Sequence, residues 1–283
     1  MTARRPTSAA PAWYRWTVLT ARLVSAASRS PTTKRWLWRT WYQFLARRYR
    51  DPSWTFMNYG YRAEAPLALS PEDEGDRSCI QLYDAVVGSA PLGGREVLEV
   101  GCGRGGGAAF VARHHAPARL VAVDRSPRAV ALCRAHFTVP GLSFEVGDAE
   151  QLPFGGASFD AVLNVESSHC YGRIADFFAE VKRVLRRDGR FLYADFRPRD
   201  EVEGWRAQLA AAGFRIEAER DLTPGVVAAL DADDDRKRSL ISRLVDRPLA
   251  GVFQQFAAVR GTAIYDQLRA GGLCYRAFTA APT

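Results

Sequence analysis

Residues 95–110 read REVLEVGCGRGGGAAF. A short apolar run, a glycine cluster and an Ala-Ala-Phe start predict a strand, a tight turn and a helix in immediate succession. The strand is expected at 95–100 and the helix at 104–115. Gly101, Gly103 and Gly106 satisfy G-x-G-x-x-G, a spacing that lets the chain turn sharply and a ligand approach the backbone. Alone the spacing is weak, because any strand-to-helix turn tolerates glycine.

Its weight comes from the chain on either side. Further strands are expected at 119–124, 142–147, 159–165, 189–196, 214–222 and 272–280, with helices at 127–137, 173–186 and 200–212. This alternation predicts an α/β fold, a mostly parallel seven-stranded sheet with helices on both faces. Residues 1–50 form a basic, Trp-rich helical extension, 51–93 a cap, 94–222 the core and 271–283 the last strand. Between the last two strands, 223–270 breaks the rhythm with charged helical sequence (DADDDRKR at 231–238) and reads as a lid insertion.

The formal charge of +8 is concentrated at one end. Residues 1–50 hold eleven Arg or Lys and no Asp or Glu, leaving 28 basic and 31 acidic groups for the remainder. A body without basic excess argues against a nucleic-acid partner. Helices are expected at 12–27 and 33–49, the second with Trp36, Leu37, Trp41, Phe44, Leu45 and Arg48 at helical spacing. Because apolar and basic residues are not cleanly segregated, packing on the body or on a second subunit is the first reading of 12–49. Peripheral membrane contact is the alternative. The five cysteines show neither CxxC pairing nor His at ligand spacing, so no metal site is expected and a reducing cytoplasm is. Arginines interrupt any signal-peptide core near the start, and no apolar run approaches membrane-spanning length.

The acidic residues narrow the choice of ligand. Asp124 ends the second strand, where a carboxylate can accept ribose hydroxyls, an arrangement a nicotinamide dinucleotide would also require. Glu99, two residues before the first glycine, can face a cationic amino group. GDAEQLPF (147–154) follows the third strand, where Asp148 and Ala149 can meet an adenine edge. Turn-forming explains the glycines but not three carboxylates at successive strand ends, which converge on one crevice in a doubly wound sheet. The combination resembles the class I methyltransferases that use S-adenosylmethionine; a dehydrogenase is the remaining dinucleotide reading.

NVESSHCY (164–171) ends the fourth strand at the same rim. His169 is its one group with an ordinary pKa suited to a base near neutrality, and Glu166 is expected either to orient the imidazole or to hold a substrate hydroxyl. His114, His115 and His136 read as helix-end or surface residues. A hydrolase is set aside: there is no G-x-S-x-G elbow, and adjacent residues seldom form a nucleophile and base. WTFMNYGYR (54–62) supplies aromatics that can face a sulfonium or a carbocation, with ordinary core packing nearly as good an explanation. Trp54, Phe56, Tyr61 and Tyr171 are the expected substrate-pocket residues, and Tyr59 a cofactor contact.

FMNYGY, DRSCIQLY, VLEVGCGRGGG, GDAEQLPF, NVESSHCY and LTPGVVAAL together resemble a narrower family. It comprises actinobacterial natural-product methyltransferases similar to the phthiotriol/phenolphthiotriol dimycocerosates methyltransferases, and the likeness extends over about residues 50–280. A teleocidin-type C-methyltransferase is similar too. The resemblance implies a Rossmann-like fold, S-adenosylmethionine as methyl donor and a bulky hydrophobic acceptor. Carried over by position, Glu99, Gly101 and Gly103 form the methionine side, Asp124 the ribose contact, and Asp148 with Ala149 the adenine contact. Cys102, Arg125, Glu150 and Asn164 are counted with them. The expected activity is O-methylation of a hydroxyl. C-methylation of a prenyl alkene is the close alternative, and a catalytically idle S-adenosylmethionine-binding protein the distant one.

Overall fold

A computed structural model describes residues 31–283 apart from 52 and 66, and the side chains of 31, 32, 34–37, 39, 41 and 42 also lie outside the description. The expected helix at 12–27 and the side chains of Trp36, Leu37 and Trp41 therefore fall outside the described residues.

The alternation read from the sequence becomes one seven-stranded sheet in the order β3-β2-β1-β4-β5-β7-β6. The strands are β1 (Glu96–Val100), β2 (Arg119–Asp124), β3 (Leu142–Val146), β4 (Phe159–Val165), β5 (Leu185–Pro198), β6 (Phe214–Asp221) and β7 (Leu273–Pro282). The first five run parallel, and β7 is antiparallel to β5 and β6. Strands covered on both faces need continuous apolar runs, which is why β1 and β4 carry Val97, Leu98, Val100, Ala161, Val162 and Leu163, all buried.

Helix α1 (Pro31–Arg48) precedes the sheet, followed by α2 (Arg77–Val87), α3 (Gly106–His114), α4 (Pro127–His136), α5 (Ile174–Val184) and α6 (Val202–Ala211). One sheet face packs Leu120 and Leu163 against Tyr83 of α2 and Phe110 of α3, and the other packs Leu98 and Phe191 against Phe177 of α5 and Trp205 of α6. Helix α4 starts where its sequence says it should: Pro127 occupies the first turn, and the Ser126 hydroxyl accepts the Ala129 N–H at 3.2 Å.

The 223–270 stretch is α-helical, with α7 (Thr223–Ala232), α8 (Asp234–Leu244), α9 (Ala250–Phe256) and α10 (Ala263–Ala270). The C-terminal end of α1 rests on this insertion: Leu45 and the following Tyr49 cluster with Ile241, Val245 and Phe253. These contacts are within the chain. Among the described residues no helix is long and apolar enough to cross a membrane.

Strand order reverses between β1 and β4, and the C-terminal ends of the strands open there into the crevice where such sheets bind ligands.

Candidate active site

The glycine turn is held by the second strand. Gly101 and Cys102 both donate their N–H to the Val123 carbonyl, at 2.8 and 3.0 Å. Gly101 has φ +78°, and a Cβ there would stand 2.5 Å from Ser167 Oγ and 2.7 Å from the Tyr171 hydroxyl. Only glycine lets the loop after β4 close on the turn. Asp124 ties the turn down: its Oδ2 accepts the Gly103 N–H at 3.0 Å and its Oδ1 the Ser126 N–H at 2.8 Å. Burial pushes the Asp124 carboxyl up to about 6, with those two donors pulling the other way. The Cys102 thiol is buried, and beside it Cys133 Sγ donates to the Gly103 carbonyl at 3.5 Å.

Glu99 is 1% exposed. Its Oε1 accepts the Tyr83 hydroxyl at 2.7 Å, whereas Oε2 is buried without a partner. Burial raises this carboxyl to about 7, Tyr83 opposes that and Asp124 adds to it. Nearby, Asn164 is fully buried. Its Nδ2 lies within hydrogen-bond distance of the Val100 carbonyl (2.8 Å), Ser167 Oγ (2.8 Å) and the Tyr171 hydroxyl (3.0 Å), and its Oδ1 is buried and unpartnered. Two orphaned acceptors at one strand-end rim are costly, each by about 1–3 kcal/mol unless a ligand donor satisfies it.

At the end of β3, Asp148 Oδ1 accepts the Glu150 N–H at 3.1 Å, and the Arg125 guanidinium stands 3.6 Å from Asp148 Oδ2. Ala149 is buried beside them. Glu150, expected among the cofactor contacts, has its side chain engaged within the protein. Its carboxylate accepts the N–H groups of Gly172 (2.8 Å) and Arg173 (3.2 Å) and pairs with the Arg173 guanidinium. It ties the loop after β3 to the loop after β4.

In NVESSHCY the histidine has a partner, but not the expected one. His169 Nδ1 lies 2.8 Å from Asp195 Oδ1. Asp195, near the end of β5, is fully buried and accepts three further donors: Ser168 Oγ at 2.5 Å, the His169 N–H at 2.8 Å and the Phe196 N–H at 2.8 Å. Burial works against charge on both groups. The imidazole nevertheless holds the Asp195 carboxyl well below the usual range, and Cys170 and then Asp195 raise the imidazole above its ordinary value. The side chain of His169 is 16% exposed and its ring packs 4.6 Å from Phe196 and 5.8 Å from Trp38, centroid to centroid.

Glu166 is turned elsewhere by its own backbone. It has φ +50°, a left-handed conformation uncommon outside glycine, and its Oε2 accepts the Tyr59 N–H at 2.9 Å and the Tyr275 hydroxyl at 3.1 Å. Desolvation pushes it up to about 8, against the pull of Tyr59 and His169. Glu166 therefore does not orient the imidazole; Asp195 does.

The cap aromatics divide. Tyr59 is buried and stacks on Phe196 at 5.2 Å, and Phe196 in turn packs 6.4 Å from Tyr275, so these rings wall the side of the crevice that holds His169. Trp54 instead lines a cavity of about 260 Å³ with Met57, Gly103 and Asp124, and Arg104 lies over its ring at 4.3 Å. Phe56 closes against the glycine helix at Gly106 and meets Tyr83 edge-on. Tyr61 packs on Gly225 of α7. Tyr171 faces Gly101 with its hydroxyl and also lines a second cavity of about 500 Å³ with Ser168, Arg197 and Trp205. Of the four expected pocket residues, Phe56 and Tyr61 are packing residues, while Trp54 and Tyr171 border the glycine turn. Phe196 and Trp38 pack on the His169 ring instead, and Tyr275 packs on Phe196. Among the described residues, no group of three or more His, Cys, Asp or Glu is placed to hold a metal ion.

A Rossmann-like sheet with an acidic series converging on its glycine turn defines the class: an S-adenosylmethionine-dependent methyltransferase. A family model described as a methyltransferase domain matches residues 98–193. The chain is 39% identical over 261 residues to the phthiotriol/phenolphthiotriol dimycocerosates methyltransferase of Mycobacterium tuberculosis, spanning 92% of this chain and 96% of that one. It is 39% identical over 239 residues to a fatty-acid O-methyltransferase of Mycolicibacterium smegmatis, spanning 84% and 86%. The crystal structure of the cyclase SpnF shares the fold at a TM-score of 0.69 and 22% identity, over 86% of this chain and 94% of that one. The chain belongs to the family of the phthiotriol/phenolphthiotriol dimycocerosates methyltransferases, and its nicotinamide reading falls away.

The residues present fit the methyl donor. An ammonium group is the complement of the unpartnered Glu99 Oε2, and Asn164 Oδ1 offers a second acceptor close by.

Proposed function

We propose that this enzyme O-methylates a hydroxyl on a long-chain hydrophobic acceptor, with His169 as general base and Asp195 as the group that orients it. The observation that carries the reading is the 2.8 Å contact between His169 Nδ1 and Asp195 Oδ1, set among Phe196, Tyr59 and Trp38. A proton on Nδ1 shared with Asp195 leaves Nε2 as the atom that accepts the hydroxyl proton.

When bound, S-adenosylmethionine supplies an electrophilic methyl on a sulfonium that departs as a neutral thioether. Glu99 and Asn164 hold its amino end, Asp124 its ribose, and Asp148 with Ala149 its adenine. Glu166, with Oε2 engaged by Tyr59 and Tyr275, keeps its other oxygen to bond the acceptor hydroxyl. The aromatic wall supplies an apolar surface for the chain that carries it.

The M. tuberculosis relative is named for phthiotriol and the M. smegmatis relative for fatty acids, so hydroxyl and carboxylate acceptors are both precedents. The paired histidine favours the hydroxyl: a carboxylate acceptor is already ionised and needs no base, whereas an alcohol needs one, and His169 with Asp195 supplies it.

C-methylation of an alkene is the second reading, favoured by the same aromatic wall, which could face a carbocation. A competition distinguishes them. Octadecan-2-ol, stearic acid and squalene are presented together in detergent with S-adenosylmethionine, and products are read by mass spectrometry. The alcohol should gain one methyl as an ether. Preferential formation of the methyl ester, or of methylated squalene, would overturn the O-methylation of a hydroxyl.

A further inference from the structure

Lys237 is the buried cation of the insertion. It lies on α8, is 8% exposed, and donates from Nζ to the Tyr59 carbonyl at 3.1 Å and the Ala257 carbonyl at 3.4 Å. Among the described residues it forms no ion pair with a carboxylate. Cys79, Asp233 and Glu166 face it and favour its charge, Arg236 and burial oppose it, and burial is the largest influence. The residue type is itself informative. Of 39 basic residues only three are lysines, and here a compact ammonium with rotatable donors meets two carbonyl oxygens from separate segments.

What Lys237 touches links it to the acceptor side. The Tyr59 residue is held from both ends of its own backbone: its N–H by Glu166 of the strand-end loop, at 2.9 Å, and its carbonyl by Lys237 of the insertion. The ring of Tyr59 stacks on Phe196, and Phe196 packs on His169. A continuous line of contacts thus runs from α8 to the imidazole, passing through the wall proposed to receive the acceptor. Without the ammonium, α8 would lose its polar tie to Tyr59, while Thr223 of the same insertion would keep its bond to the Tyr275 N–H at 2.9 Å.

We propose that Lys237 is a positioning residue for acceptor binding, through which the insertion sets the Tyr59 and Phe196 wall. Tyr59, expected from the sequence as a cofactor contact, stacks here on Phe196 beside His169, and neither carbonyl that Lys237 holds belongs to the glycine turn, so its effect falls on the acceptor side. This inference rests on the hydroxyl-acceptor reading for its kinetic test but not for its structural one.

The test uses the full chain with octadecan-2-ol as acceptor and S-adenosylhomocysteine as donor-site probe. Lys237→Met, which keeps most of the apolar stem and removes the donors, should raise the acceptor KM about tenfold, with kcat and S-adenosylhomocysteine affinity within about twofold of the parent. Lys237→Gln, whose amide keeps two N–H donors one bond shorter, should recover part of that loss. An unchanged KM, or a fall in donor-site affinity alongside it, would overturn the assignment. If Lys237→Met does not fold, or if the parent does not methylate the alcohol, hydrogen exchange on the parent protein decides. Amides of 57–60 and 234–240 should gain protection together when octadecan-2-ol binds the S-adenosylhomocysteine complex; independent changes would contradict the coupling. Failure of alcohol methylation with coupled protection would refute the acceptor chemistry alone.

Discussion

Replacing His169 with alanine should lower kcat by about 10²–10⁴-fold while leaving S-adenosylhomocysteine affinity within about threefold of the parent, by calorimetry. An alcohol is a poor nucleophile until its proton has somewhere to go. Removing the base therefore raises the barrier without touching the proposed donor contacts Glu99, Asp124, Asp148, Ala149 and Asn164. Asp195→Asn is the sharper variant of the same idea. It keeps the shape but removes the charge that sustains the imidazolium, and it offers Nδ1 an amide that can be either donor or acceptor. Its kcat should fall too, by less than the alanine variant if residual Nε2 basicity survives. Turnover near that of the parent in His169→Ala would remove the base from the mechanism and leave the aromatic wall, and with it the alkene reading.

The second large effect should be on binding. Glu99→Gln should weaken S-adenosylmethionine by about 10–100-fold, the worth of a hydrogen bond to a charged group in a buried site. The parent should also show a pH dependence that the variant lacks. Glu99 is held up to about 7, so below that pH it carries a proton and cannot offer an anion to an ammonium. Donor affinity should therefore fall as pH drops through about 7 and level off above it, as calorimetry at a series of pH values would report. Glu99→Gln has no such proton to lose and should give a flat profile across that range. A variant as tight as the parent, or a parent with no dependence, would mean that the unpartnered Oε2 is satisfied by something other than the donor.

Both predictions show what could be read from residues in order. The strands and the acidic ends of the first three were legible because parallel sheets impose continuous apolar runs and place functional groups at their C-terminal ends. Glu99, Asp124 and Asp148 obey that rule, and Asp195 obeys it as well. It was missed because FLYADFRP reads as strand, and because its partner lies 26 residues away on another element, at no fixed spacing. Extending the strand-end rule to β5 is the signal that would have found it.

Glu166 illustrates a different limit. Of its two expected roles the orienting one falls to Asp195: although it lies three residues from His169, its carboxyl accepts from Tyr59 and Tyr275, on a left-handed backbone that the residue type does not announce. Glu150 likewise looked like part of the adenine edge, yet its side chain crosses to the backbone of Gly172 and Arg173. The cap aromatics show the limit of composition. Phe56 and Tyr61 are as aromatic as Tyr59, and which ring faces the crevice is decided by glycines at 106 and 225 that admit the other two into packing.

The most direct test of the account is the pH dependence of single-turnover methylation of octadecan-2-ol, in the parent and in Asp195→Asn. A base must be neutral to accept a proton, and Asp195 raises the pKa of the imidazole. The parent rate should therefore climb with pH through a limb above the ordinary histidine value of about 6.5. Removing the carboxylate should move that limb to lower pH while lowering the plateau. A flat profile in the parent, or a limb that stays in place when Asp195 loses its charge, would contradict the His169/Asp195 pair as the catalytic base.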